Sequence, residues 1–207
     1  MTVSVDEMTG IQALERAEET LPMRQGFVER PEYEYIRHGT QCLLAGFDVA
    51  TGKVFALCQA QRKEVDFVDF IKALDTHHYG YKQLRIIADN LNTHQSESLV
   101  RYVAQRSGFE GDLGLKGKEG ILKSQASRAE FLGRPWHKIV FNYTPKHASW
   151  MNQIEIWFGI LVKKVIKRGN FSSLENLKYK LLNFIDYHNE YAAKPYNWKY
   201  SGEVLNS

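Results

Sequence analysis

Asp6, Asp89 and Glu155 are the residues of this chain best placed to do chemistry. Asp6 ends the run Thr2-Val-Ser-Val-Asp6, and Asp89 ends the apolar run Leu84-Arg-Ile-Ile-Ala-Asp89. Glu155 lies early in the amphipathic stretch Trp150-Met-Asn-Gln-Ile-Glu155-Ile-Trp-Phe158. Carboxylates supplied by two strand ends and one helix can converge on a pair of Mg²⁺ ions, with Mn²⁺ as a substitute. Hard cations take oxygen ligands, and two of them clamp the attacking and leaving oxygens of a phosphodiester. Asp89 is the best single candidate, because an unpaired carboxylate at the end of a buried strand is costly unless it is used. Open α/β sheets also bind ligands just beyond the carboxyl ends of their strands. Each acid has a plainer reading as well. Asp89 can be a helix cap or an Asx turn, Asp6 a solvated strand end beside Glu7, and Glu155 an exposed helical charge.

Polar residues near these acids form a second set. His94, five positions after Asp89, suits an orienting role better than metal ligation, since Mg²⁺ prefers oxygen. Asn152 precedes Glu155 by three residues and so shares its helical face. Lys146 and His147 lie in a polar loop where they can meet phosphate. Lys163, Lys164, Lys167 and Arg168 lie off the apolar stripe of the Glu155 helix, and Lys116 to Arg134 add a second basic group. Both groups suit backbone phosphates, or equally a solvated face. Trp150 and Trp157 read as core anchors, with Trp150 also able to stack on a base. His77-His78 lacks partners for a metal.

The elements that must position these residues follow from periodicity. Residues 2–6 read as a strand, and 10–35, with Pro22, Gly26 and Pro31, as a polar arm. Thr40–Phe47 and Lys53–Gln59 form a hairpin around Asp48–Gly52. Val65, Val68, Ile71 and Leu74 mark a helix over 64–78; Leu84–Ala88 is a strand; Leu99, Val100 and Val103 mark a helix over 96–106. Residues 108–136, with glycines at 108, 111, 114, 117, 120 and 133, read as an insertion or flap rather than core. Lys138–Tyr143 is a strand. Ile154 to Ile166 form a long helical stripe, and Ser172-Ser-Leu-Glu175 is a capping-box pattern opening a last helix. Strands alternating with helices after an opening hairpin indicate a mixed α/β sheet covered on both faces.

The 207 residues, 43% hydrophobic and 25% charged, suit a soluble globular chain read as a single domain over 1–207, and the net charge of +3 permits nucleic-acid binding without requiring it. Two cysteines, Cys42 and Cys58, are too few for a disulfide framework or a Cys zinc site and read as reduced core thiols. No apolar run is long enough to span a membrane, and the N-terminus lacks signal-peptide features. The expected setting is the bacterial cytoplasm.

Several segments together resemble the bacterial insertion-sequence transposases related to mariner elements, of the DDE superfamily. They are Val3–Arg16, Arg37-His-Gly-Thr40 with Phe47–Gly52, Ile87-Ala-Asp-Asn-Leu-Asn-Thr-His94, and Tyr143-Thr-Pro-Lys-His-Ala-Ser-Trp-Met-Asn-Gln-Ile-Glu155-Ile-Trp-Phe158. Lys167–Ser172 and Lys194–Trp198 resemble the family's C-terminal segments. The resemblance implies a ribonuclease H-like fold and an Asp-Asp-Glu triad at Asp6, Asp89 and Glu155. It also implies hydrolysis of DNA at transposon ends, followed by attack of the freed 3′-hydroxyl on target DNA, usually at TA. Partners implied are DNA, a second copy of the chain and, since no helix-turn-helix module is recognisable here, a separate DNA-binding transposase chain. Asp89 and Glu155 are 155 − 89 = 66 positions apart, longer than in many members, and the surplus fits the 108–136 segment. The alternatives are a non-catalytic remnant that binds DNA or inhibits a full-length enzyme, and a general ribonuclease H-like nuclease.

Overall fold

A computed structural model describes residues 1–18, 24–26, 28, 34–78, 80–145 and 148–198. Five strands form one mixed sheet in the order β3-β2-β1-β4-β5: β1 (Thr2–Arg16), β2 (Tyr35–Asp48), β3 (Val54–Gln59), β4 (Leu84–Ala88) and β5 (Ile139–Tyr143). β1, β2 and β3 pair antiparallel, whereas β1, β4 and β5 run parallel. The expected α/β sheet with helices on both faces is what the chain builds.

Period-2 alternation along β1 divides the molecule. Val3 and Val5 enter one core with Ile86, Leu84 and Phe141, covered by α1 (Glu64–His77), α2 (Glu97–Arg106) and α3 (Gln125–Leu132). Ile11, Ala13, Phe47 and Ala45 enter the other, covered by α4 (Gln153–Leu161) and α5 (Leu174–Tyr187). The polar residues Ser4 and Asp6 lie on this second face, between β1 and the start of α4.

Four expectations need correction. β1 does not stop at residue 6 but continues to Arg16, and β2 begins at Tyr35, so both ends of the supposed arm are paired strand. Register shifts between Met8 and Ile11 and between Gln12 and Leu14 break the alternation there, which hid the strand from a period-2 reading. The 108–136 segment is not a flap: Leu122, Phe131 and Leu132 are fully buried, and buried Arg128 donates to the carbonyls of Gln95 and Leu122 instead of facing phosphate. The stripe to Ile166 is α4 followed by a π-helical turn over Val162–Ile166, where the Lys167 amide reaches the Val162 carbonyl at 2.8 Å. The last helix is capped by Ser173, whose hydroxyl accepts from the Asn176 amide, rather than by a Ser172/Glu175 box. No helix among the described residues is long and apolar enough to cross a membrane.

Candidate active site

The β1–β4 pairing brings the first two acids together. Thr2 sits beside Arg85 and Ser4 beside Ile87, a constant offset of 85 − 2 = 83. Carried two residues further, that offset sets Asp6 beside Asp89, 89 − 6 = 83. Both acids therefore stand at the carboxyl end of the parallel pair.

Asn152 delivers the third. Its amide, completely buried at the start of α4, donates to the Val5 carbonyl at 2.8 Å and to Asp6 Oδ2 at 3.3 Å. Its Oδ1 accepts from the Ser4 hydroxyl, and that hydroxyl in turn accepts from the Ile154 amide at 2.9 Å. The first turn of α4 is thus bolted to β1, which brings Glu155 to the neighbourhood of Asp6. Burial, reinforced by the charges of Asp89 and Glu7 against the opposing Glu7 amide, pushes Asp6 up to about 7. Partial burial and the same two charges raise Glu155, although much of its side chain is exposed.

Asp89 differs. Its Oδ1 accepts from His94 Nδ1 at 2.7 Å and from the Leu91 amide at 3.0 Å. The His94 bond, opposed by burial and helped by the Leu91 amide, holds Asp89 below the usual carboxylate range. The Asx turn considered as the plainer reading is therefore present in this carboxylate. His94 is fully buried, its ring tilted against Phe67 with centroids 4.2 Å apart and its Nε2 3.0 Å from Glu7 Oε2. Burial alone would depress the imidazole, but the bonds to Asp89 and Glu7 outweigh it and raise it to about 9.

Glu7 is the residue the sequence reading missed. Its neighbour obscured which acid points inward; in fact both do, on opposite faces of β1. Glu7 is 5% exposed and also lies 3.9 Å from Arg62. The signal was parity: a second acid after Asp6 must point into the Val3/Val5 face.

The remaining candidates fall as follows. Lys163, Lys164, Lys167 and Arg168 are exposed along and just beyond the π-helical turn. Lys146 and His147 lie outside the described residues. Trp157 is fully buried as expected, whereas Trp150 is 56% exposed and not a core anchor. Cys42 and Cys58 are free thiols on adjacent strands.

The oxygen-only set Asp6, Asp89 and Glu155 has the chemistry a hard divalent cation requires. Burial leaves Asp6 short of positive charge, which a cation would supply. Among the described residues, no three His, Cys, Asp or Glu side chains are already spaced around a common metal position. The Asp89–His94 bond occupies an oxygen that a cation would need.

A family model described as DDE superfamily endonuclease matches residues 1–178. No curated protein matches the chain. Among solved structures, the mariner Mos1 paired-end complex with Mg is 14% identical, with a TM-score of 0.30. That match covers 91% of this chain and 55% of the Mos1 chain, so the chain spans about half the length of that protein.

Proposed function

The chain belongs to the DDE superfamily endonucleases, and on that premise we propose that it is the catalytic domain of a DNA transposase. In this reading it cuts DNA at transposon ends and joins the freed 3′-hydroxyl to target DNA at TA-containing sites, acting as a pair of copies. A separate DNA-reading chain is a compatible partner. What supports the reading is the placement of Asp6 and Asp89 at the carboxyl end of the parallel β1–β4 pair, with Glu155 in the first turn of the helix that Asn152 ties to β1.

Asp6, Asp89 and Glu155 are the residues that would hold two Mg²⁺ ions. Bound there, such ions neutralise charge at phosphorus and ease deprotonation of water or of a 3′-hydroxyl. The protein's own part is positioning. Asn152 and Ser4 fix α4 against β1 and so fix Glu155 against Asp6. Glu7 and His94 fix Asp89. In the first reaction a water oxygen bonds to phosphorus and the bond from phosphorus to the 3′-oxygen breaks, leaving a 3′-hydroxyl and a 5′-phosphate. In the second, that hydroxyl bonds to a target phosphorus and the target's own 3′-oxygen leaves. Exposed Lys163, Lys164 and Lys167 suit the flanking phosphates, and Lys146 and His147 belong to the same proposed set.

The test begins with calorimetric titration of Mn²⁺ and Mg²⁺ into wild type and Asp89→Asn. Saturable binding lost in the folded variant supports the site. A pre-cut oligonucleotide with a 3′-hydroxyl is then offered with supercoiled plasmid. Strand transfer abolished by Asp89→Asn and Glu155→Gln supports the transposase; cleavage without joining assigns a general nuclease instead. No metal binding even with DNA present would overturn the catalytic reading.

A further inference from the structure

We propose that the end of the sheet opposite the acids carries a second nucleic-acid site, which takes a single strand of DNA. Asp89 follows the last residue of β4, whereas this groove surrounds the first residues of β4 and β5. A five-residue strand separates the two ends by roughly 16 Å. The groove, about 660 Å³, is lined by Lys82, Arg85, Arg106 and Lys138, with no acid among its lining residues. For a chain of net charge +3, that is a concentrated positive surface.

The frame is built rather than incidental. The Gln83 amide donates to the carbonyls of Pro135 at 2.7 Å and His137 at 3.0 Å, tying the approach to β4 to the approach to β5. Arg85 Nε donates to Gln83 Oε1 at 3.1 Å, and both side chains line the groove. The Lys138 amide is held by Ser107, and its ammonium by the Tyr81 carbonyl at 2.6 Å. Arg106 is partly neutralised by Asp75 at 2.6 Å, but Lys82 and Arg85 have no acidic partner among the described residues. At the rim, Trp136 is 53% exposed, backed by Phe131 and His137.

Clustered cations beside an exposed indole fit a polyanion with stackable bases. An exposed indole stacks on an unpaired base, which selects a single strand over a duplex. The proposal rests on the transposase reading only for the choice of DNA over RNA.

A short fluorescein-labelled oligodeoxynucleotide, titrated by anisotropy in EDTA over a range of salt, reads this site without the metal centre. Failure of the catalytic reading therefore leaves the result interpretable. The expected outcome for Lys82→Ala/Arg85→Ala is a salt slope shallower by about 0.7 for each cation removed. Trp136→Leu is expected to weaken binding about tenfold with the slope unchanged. All three side chains are exposed, and unchanged melting confirms that the variants fold. Wild-type affinity and slope in both variants would overturn the proposal. So would tighter binding, sensitive to these substitutions, of an RNA or a duplex of the same sequence.

Discussion

Glu7 reaches Asp89 through a single imidazole: His94 lies 2.7 Å from Asp89 Oδ1 and 3.0 Å from Glu7 Oε2, sealed from solvent beneath Phe67. Since both carboxylates accept, both ring nitrogens must donate, and the ring is held as a cation clamped from two sides. The arrangement fixes Asp89 from the face of the sheet opposite Asp6.

Removing the clamp should loosen Asp89. Glu7→Gln is expected to weaken Mn²⁺ binding about tenfold while leaving the fold intact, as loss of an orienting partner does at metal sites; unchanged affinity by calorimetry would count against it. His94→Ala should cost about 3 kcal/mol in urea unfolding, because buried Glu7 and half-buried Asp89 both lose their partner. His94 is raised to about 9, so its contribution is complete below its unfolded value near 6.5 and is lost as pH rises through about 9. The gap between wild type and His94→Ala should accordingly narrow in alkali.

Asp6 titrates with the opposite consequence for a carboxyl. Its folded value of about 7 lies above its unfolded value of 3.8, so the native state binds the extra proton between them. Without metal, stability attributable to Asp6 is therefore full below about pH 4 and is lost as pH rises to 7. Asp6→Asn should be more stable than wild type at pH 8 in EDTA, by about 2 kcal/mol, and should flatten this pH slope. Metal binding near pH 6 should release protons, seen as a binding enthalpy that changes with the ionisation heat of the buffer.

Asn152 joins the helix that carries Glu155 to the strand that carries Asp6. Asn152→Ala leaves the Ser4 hydroxyl and the Val5 carbonyl without their buried partner, at a cost of about 2 kcal/mol. Metal affinity should fall with it. If a thermal melt shows the loss and calorimetry shows wild-type metal affinity, Asn152 is structural only.

Asp75 offers a contrast away from the site. Nearly buried, it accepts from Tyr81, from Tyr102 at 2.7 Å and from Arg106 at 2.6 Å, tying α1 to α2. Burial opposes these bonds, but together they hold it below its usual range. Asp75→Asn should destabilise by about 3 kcal/mol at pH 7. The stabilisation is present above 3.8 and lost as pH falls through the lower folded value, so the two proteins should converge in strong acid.

Much of this was present in the order of residues. The apolar run Leu84–Ala88 had the length of β4 and placed Asp89 at its end, because a short buried strand announces itself by composition. Ser4 and Asp6 shared a face of β1 by parity alone, and the 3.6-residue period put Asn152 on the side of α4 that carries Glu155. Other features depended on partners far away in the chain. The length of β1 is set by its pairing with β2 through two register shifts, which local periodicity cannot register. The glycine-rich 108–136 segment reads as open loop until Leu122, Phe131 and Leu132 are seen filling the core beside α2. Above all, the clamp on Asp89 joins Glu7 to His94 across 87 positions. Side-chain types can propose such a contact, but only the closing of β1 against β4 makes it.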